Sequence, residues 1–536
     1  MRSFNRNVFP FTLQTLTLLF LFATNAAAQK DNLDTQFTII QLNDIYRLDA
    51  VADGKSGGMS RVATLIKHTK GPVFLLHAGD FLAPSLESKY FAGLQMIAAM
   101  NFLHDLAPMF IVPGNHEFDE RLPDMLMSAV KSSRFPWLAA NLQLHTPAAE
   151  INARIVPRIL TTMGKTRAGI FALTLHGAQN GRDRDYAPVD SNYLALAEQE
   201  IQALEREGAE VIIGLTHLSM ADDRRLAKLR QRHPKFMWIA GGHEHFSQKE
   251  VLTPASALIT KGDSNARSVW RVRFGYQNGQ ATLLPEKIDI DSRLPFDKDY
   301  QREIADRYRQ ELERRVPFIT AQIGASSTRL EGLEGVVRTR ESNWGNYLAD
   351  QMRNAFGALR ADIAVLNGGA IRIDDSFSGE IRFEHLWRTF GFATRVGYVW
   401  LRGRDVRQEI LEHSVAAELG DGRFLQVSGL KFEFDRSAAS GRRVGSVKVQ
   451  QGQDWPDLKD DQIYIVAVPD YLLEGGDGYQ FKQKALMTIP HGPELKLLTF
   501  EAISQAFSRG ENIAPAVEGR IVEIIDGDRV LQRAGR

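Results

Sequence analysis

The chain of 536 residues contains no cysteine. That absence excludes disulfides, thiolate metal sites and a lipid-attachment cysteine; exported domains depend on disulfides mainly when they are small. Net charge is missing too, with 65 basic residues against 65 acidic ones. Without a basic field there is little to hold a nucleic-acid polymer, and no polybasic tract marks an anionic membrane surface. Internal repeats and low-complexity segments are not evident. A long apolar run occurs only at the start. There Arg2 and Arg6 precede a run from about Val8 to Phe22, and Ala26-Ala27-Ala28 gives a small-x-small site before Gln29. The run is short for a membrane span, so it reads as a secretory signal peptide over 1–28 rather than a retained anchor helix. Removing it with its two arginines leaves a slightly acidic chain. A periplasmic or secreted protein with no stable membrane anchor is expected.

What is present is ordinary globular material, 44% hydrophobic and 24% charged, in a chain long enough for two large domains. Five apolar stretches read as buried strands. Phe37–Leu42 ends on Asn43-Asp44, and Val73–Leu76 on His77-Ala78-Gly79-Asp80. Met109–Val112 runs into Pro113-Gly114-Asn115-His116-Glu117-Phe118-Asp119. Val211–Leu215 runs into Thr216-His217, and Met237–Ala240 into Gly241-Gly242-His243-Glu244-His245. Each delivers Asp, Asn or His just past its C-terminal end, the edge where loops of an α/β sheet converge on one crevice.

Asp44, Asp80, Asn115, His217, His243 and His245 mix carboxylate, amide and imidazole. That suits a pair of divalent first-row ions, Zn, Mn, Co or Fe, and does not suit a calcium cage. Asp80, with two oxygens, is the natural bridge between ions about 3.5–4 Å apart, which would bind a phosphoryl oxygen and lower the pKa of a bound water. Gly114 is expected to permit a turn. His116, with Asp119 three residues on to fix its tautomer, is placed for proton transfer or charge stabilisation on a reacting phosphate. His243 and His245 alternate, so both reach one site only if the backbone bends after the Gly-Gly pair.

From Asp297 to Val316 the sequence is strongly charged with apolar residues at helical spacing, which predicts an exposed linker helix over 296–316. It would separate a catalytic domain over 36–290 from a second domain over 318–527. In the second, Arg338, Asn367, Arg372 and Asp477 sit in or beside glycine-containing segments that permit close approach, and arginine supplies phosphate or carboxylate recognition. Phe390 and Tyr471 are aromatics able to clamp a flat ring. A solvated ion pair or a core aromatic would look the same at this level.

These residues match a known family in order. Asn43-Asp44, Gly79-Asp80, Gly114-Asn115-His116-Glu117-Phe118-Asp119, Thr216-His217 and Gly242-His243-Glu244-His245 carry the first half. Glu341-Ser342-Asn343-Trp344-Gly345-Asn346, Asn367-Gly368-Gly369-Ala370-Ile371-Arg372, Phe424-Leu425-Gln426-Val427-Ser428-Gly429 and Gly475-Gly476-Asp477-Gly478-Tyr479 carry the second. The chain resembles the bacterial 5′-nucleotidase and UDP-sugar hydrolase family. The resemblance implies an α/β protein: a four-layer αββα metallophosphoesterase domain joined by a helix to an α/β 5′-nucleotidase C-terminal domain. It implies one metal on Asp44, Asp80 and His245 and another among Asp80, Asn115, His217 and His243, with His116 and Asp119 as the catalytic dyad. It assigns Arg338, Asn367 and Arg372 to substrate contact, Phe390 and Tyr471 to the base, and Asp477 to the ribose. The implied activity is hydrolysis of nucleoside 5′-monophosphates. Alternatives are 2′,3′-cyclic nucleotide phosphodiesterase or UDP-sugar hydrolase activity, or a nucleotide-binding pseudo-enzyme. One position departs from the family pattern: Asp44 is followed by Ile45-Tyr46 where the family has Asp-x-His. Either Tyr46 coordinates as phenolate or the first metal has lost a ligand. Oligomeric state is not legible.

Overall fold

A computed structural model describes residues 33–118, 124–144, 153–175, 186–188, 192–417, 419–525 and 528–530. The proposed signal segment and Asp119 lie outside them. No helix among the described residues is long and apolar enough to cross a membrane.

In the first half the apolar runs become two sheets. One has the order Gln280–Asp289, Ser268–Gln277, Asp34–Leu42, Val73–Ala78, Met109–Val112, Trp137–Leu138, Ile155–Val156. The other runs Gln248–Glu250, Leu258–Lys261, Phe236–Gly241, Val211–His217, Thr166–Thr174, Arg158–Met163. The central strands of both are parallel. Parallel strands are covered on both faces, which is why they read as continuous apolar stretches. Ile39, Leu76 and Val112 of the first sheet meet Ile170, Ile213 and Trp238 of the second in one cluster. Met59, Val62, Met96 and Leu103 cover the outer face of the first sheet, and Ile201 and Leu204 that of the second. Helix, sheet, sheet and helix therefore form four layers. The antiparallel edge is a hairpin closed by Asn278-Gly279, both left-handed at φ 53 and 77, as a two-residue turn matching strand twist demands.

The charged stretch is helical from Lys298 to Arg315, with a π-turn at Gln301–Ala305. It is not an exposed strut. Tyr300, Ile304 and Ala305 join the first-half core, and Leu312 packs with Leu86 and Phe91. The apolar residues recur every four positions, so one stripe stays buried while the charges face water.

The second half holds a five-stranded sheet ordered Leu425–Ser428, Ile363–Asn367, Ile463–Pro469, Val396–Arg402, Met487–Ile489, with four-stranded and two-stranded sheets beside it. The helix Asn343–Arg353 starts on Ser342, whose side chain accepts from the Gly345 N–H, a normal N-cap. Trp344 and Leu348 of this helix pack with Leu495 and Ile503 of Leu495–Ser508. Among the described strands, none of residues 34–289 pairs with any of 322–530. The halves are tied mainly by side chains, beside a backbone bond from the Ala52 N–H to Asp374 O at 3.4 Å. Arg267 pairs with Asp374 at 2.9 Å, Arg388 with Glu87 at 2.7 Å, and Arg47 donates to Ile373 O at 3.0 Å.

Candidate metal and phosphate site

The strand ends deliver their side chains through strained backbone. Asp44, Asp80 and His243 are left-handed, at φ 52, 60 and 82, a conformation that costs a non-glycine residue of order 1–3 kcal/mol and persists where surrounding structure imposes it. The bend that separates His243 from His245 is thus at His243 itself, and not at Gly241 or Gly242. Gly242 serves close approach: a Cβ there would strike Ala78 O. Gly114 likewise has no left-handed turn to permit; a Cβ on it would run into Asp80 Oδ1.

Asp80 Oδ1 accepts from the His116 N–H at 2.9 Å, which leaves Oδ2 facing the cluster. Oδ2 lies 3.3 Å from His217 Nε2 and 3.2 Å from the Tyr46 hydroxyl. His217 Nε2 is also 3.2 Å from Asn115 Oδ1, and the His243 ring stands edge-on to His217 at 5.3 Å. On the other side His245 Nε2 is 3.4 Å from Asp44 Oδ1. One Asp80 oxygen therefore lies between two donor sets. Asp44, Asp80 and His217 also present ligand atoms within 4.8 Å of one another, all buried. The donors fit divalent ions: hard oxygens and imidazoles, one shared carboxylate and no thiolate.

Backbone and side-chain braces hold the set. His217 Nδ1 bonds Ala78 O at 2.7 Å, which points Nε2 inward. Asn43 donates to Asp44 Oδ2 at 2.8 Å and ties itself to Gly262 in both directions. Glu117 accepts from the backbone N–H groups of Asp80, Phe81, Leu82 and Gly114, binding the two loops that carry Asp80 and Asn115. Buried Lys261 donates to Leu218 O at 2.7 Å and Gly242 O at 2.9 Å, and pairs with Asp223 and Glu244.

The electrostatics are those of a cation site. Burial disfavours an imidazolium, yet Asp80 and Asp44 outweigh it and raise His217 to about 10. Burial would raise Asp44, but His245 beside it holds it below the usual carboxylate range. His77 shows the opposite case; burial lowers it to about 3 and leaves it neutral.

The second half reaches into this site. Arg372 Nη2 meets His116 Nε2 at 3.1 Å, and its guanidinium lies 4.8 Å over the Tyr46 ring and 5.4 Å over Phe392. Glu334 accepts from His245 Nδ1 at 2.5 Å and also receives Ser264, Arg267 and Arg338. Tyr46, Asn265, Glu334, Ile371, Arg372 and Asp374, with Pro84, line a cleft between the halves. Farther in, Asn367 donates to Asp477 Oδ2 at 2.9 Å and the Tyr471 hydroxyl to Asp477 Oδ1 at 2.8 Å. Arg338 Nε and Asn367 Oδ1 are buried with no hydrogen-bond partner, a donor and an acceptor left over for a ligand.

Residues 37–247 match the calcineurin-like phosphoesterase family, and residues 322–483 match the 5′-nucleotidase C-terminal domain. The chain belongs to the 5′-nucleotidase family. Its sequence is 26% identical to bovine (Bos taurus) 5′-nucleotidase, over 91% of this chain and 90% of that one. It is 27% identical to the trifunctional nucleotide phosphoesterase protein YfkN of Bacillus subtilis (strain 168), over 94% of this chain but 36% of YfkN. The 5′-nucleotidase precursor of Thermus thermophilus shares the fold at a TM-score of 0.74 and 25% identity, covering 91% of this chain and 99% of that one. As a family member the chain is a metal-dependent phosphoester hydrolase.

Within this 5′-nucleotidase family fold the six expected ligands converge, and His116 and Arg372 meet beside them. The expected clamp does not form. Phe390 is 0% exposed and packs in the second-half core, whereas Tyr471 is 52% exposed. Phe390 closes the helix Phe383–Thr389 and is drawn under by Leu386 and Trp344; Phe392, two residues on, is the ring that faces Arg372 and His116. Sequence reading also missed Glu334, whose only local signal is its position four residues before Arg338.

Proposed function

We propose that the protein hydrolyses nucleoside 5′-monophosphates to nucleoside and phosphate, using two divalent ions. The observation that carries this reading is the shared Asp80 oxygen between two donor sets, with His116 and Arg372 beside it. Asp44, Asp80 and His245 would hold one ion, and Asp80, Asn115, His217 and His243 the other; Zn, Mn, Co or Fe suits these donors. Bound there, the ions would supply Lewis acidity to the phosphoryl group. Arg372 gives a fixed positive fork for phosphate oxygens. Arg372 donates to His116 Nε2, so both groups would face one phosphate, with Asp119 as the dyad partner of His116. Arg338 Nε and Asn367 Oδ1 would take polar groups of the nucleoside, Asp477 the ribose hydroxyls and Tyr471 the base. The apolar segment led by Arg2 and Arg6 supports export.

The test is phosphate release by metal-stripped protein reloaded with Mn²⁺, Co²⁺ or Zn²⁺, on AMP, UMP, ATP, UDP-glucose, 2′,3′-cAMP and bis-p-nitrophenyl phosphate. Fast metal-dependent release from AMP or UMP is expected. Preference for the diesters or UDP-glucose would move the protein to the phosphodiesterase or UDP-sugar hydrolase reading. Nucleotide binding without turnover would make it a pseudo-enzyme.

A further inference from the structure

Tyr46 stands where a single hydrogen-bonding role does not explain it. Its hydroxyl is 3.2 Å from Asp80 Oδ2, 3.2 Å from His245 Nε2 and 3.4 Å from Asp44 Oδ1, while His245 Nε2 and Asp44 Oδ1 are themselves 3.4 Å apart. A phenol has one proton, so it donates to one of these three at most. All the oxygen contacts are longer than the ordinary O–H···O length of about 2.7–2.8 Å. They do have the spacing of atoms that share one ion. The edge of a tetrahedron is about 1.6 times its centre-to-corner distance, so ligands about 2.0–2.1 Å from a zinc-type ion lie about 3.3–3.4 Å apart. Four of the six edges of such a figure have these lengths in the structure.

We infer that the Tyr46 oxygen is the fourth ligand of the Asp44, Asp80 and His245 ion. This deepens the two-metal reading and rests on it. The side chain is held for the role. Its backbone N–H donates to Asn265 Oδ1 at 3.1 Å, its ring lies under the Arg372 guanidinium and edge-on to His116 at 5.9 Å, and it is buried. A neutral phenol is a poor ligand. On loading, the oxygen–proton bond breaks, the proton leaves to solvent and the oxygen's electron pair goes to the ion, with no change of oxidation state. Burial, with Asp80 and Asp44 beside it, keeps the phenol neutral in the metal-free protein and the Arg372 cation offsets this only in part, so the charge of the ion itself would have to release the proton. The resulting set is three anionic oxygens and one imidazole, so the substitution of tyrosine for the family's histidine changes the ligand without deleting it.

The test counts metal and watches the tyrosine directly. Metal-stripped wild type, loaded with Co²⁺ or Zn²⁺ and freed of excess by gel filtration, is expected to hold two ions per chain by mass spectrometry. It is expected to gain a near-ultraviolet tyrosinate difference band on loading. Tyr46→Phe should hold one ion and show no band; Tyr46→His should regain the second ion, still without the band. Wild type that holds two ions without the band overturns the inference, as does a folded Tyr46→Phe that keeps both. Wild type that holds a single ion while releasing phosphate overturns this inference and leaves phosphatase activity standing, since Tyr46 would then fill the first position. Absence of any bound ion overturns the two-metal reading as well. If Tyr46→Phe fails to fold, the wild-type difference spectrum decides alone.

Discussion

Glu334→Ala separates metal affinity from fold stability, because one carboxylate serves both. Glu334 lies in the second half and is buried, and it accepts from His245 Nδ1 at 2.5 Å and pairs with Arg338 at 2.5 Å and Arg267 at 3.3 Å. Removing a carboxylate that orients a metal-binding histidine costs about 10–100-fold in affinity, which is about 1.4–2.7 kcal/mol. Removing one partner of a buried ion pair strands the other, at about 3–5 kcal/mol. Arg338 is as buried as Glu334 itself, so the full stability cost applies in metal-free protein. Urea unfolding of the stripped protein reads the second effect, and chelator competition on the loaded protein reads the first. Glu334→Gln keeps an acceptor for His245 and should recover most of the affinity while leaving Arg338 short of its counter-charge. The sign with pH is fixed. Burial would raise Glu334, but Arg338, His245 and Arg267 hold it well below the ordinary carboxylate value. Its contribution is therefore present above about pH 4.5 and fades as pH falls through the depressed value, so wild type and Glu334→Ala should converge in acid. A Glu334→Ala protein with unchanged unfolding midpoint and metal affinity within twofold would refute the reasoning.

Three further outcomes are expected. His116→Ala should lower turnover by about 10²–10⁴-fold and leave nucleotide binding, followed by calorimetry, nearly intact; unchanged turnover removes His116 from the reaction. Lys261→Met should destabilise by about 3–5 kcal/mol at pH 8, because Asp223 and Glu244 lose their cation. The cost should shrink at pH 5, since burial has already pushed Asp223 up to about 6 and it can take a proton; denaturant titrations at the two pH values check this. Metal binding near pH 8 should release protons, because His217 sits at about 10 in the free protein and must lose its proton to coordinate. Calorimetric heats in buffers of different ionisation enthalpy measure the count, and a buffer-independent heat contradicts it. By the same shift, His217 stabilises the metal-free fold below about pH 6.5, and this stabilisation is lost as pH rises through about 10.

Much of the catalytic half was legible because its information is local. An apolar run that stops at Asn43-Asp44, Gly79-Asp80 or Thr216-His217 declares a buried parallel strand and the residues at its C-terminal edge, and the structure places those edges together. The stretch from Asp297 was legible as a charged helix with apolar residues at helical spacing; that the stripe of Tyr300, Ile304, Tyr308 and Leu312 packs on the first half, while the charged faces stay exposed, only the tertiary structure reveals. Phe390 and Phe392 could not be ranked, since two aromatics two residues apart differ only in which one the surrounding core takes in.

By itself the sequence determined the family, the two-part architecture, the donor types and the departure at Tyr46. Each depends on residue type and short spacing. Tertiary structure decided that His245 is oriented by Glu334, 89 residues away along the chain, and that His116 meets Arg372 across 256 residues. It also decided that the Tyr46 oxygen falls among three ligand atoms and not beside them. The first two depend on how two separately built cores lie against each other, and the third on how loops from distant strands of the first half meet; no local pattern of glycines, periodicity or capping encodes either placement.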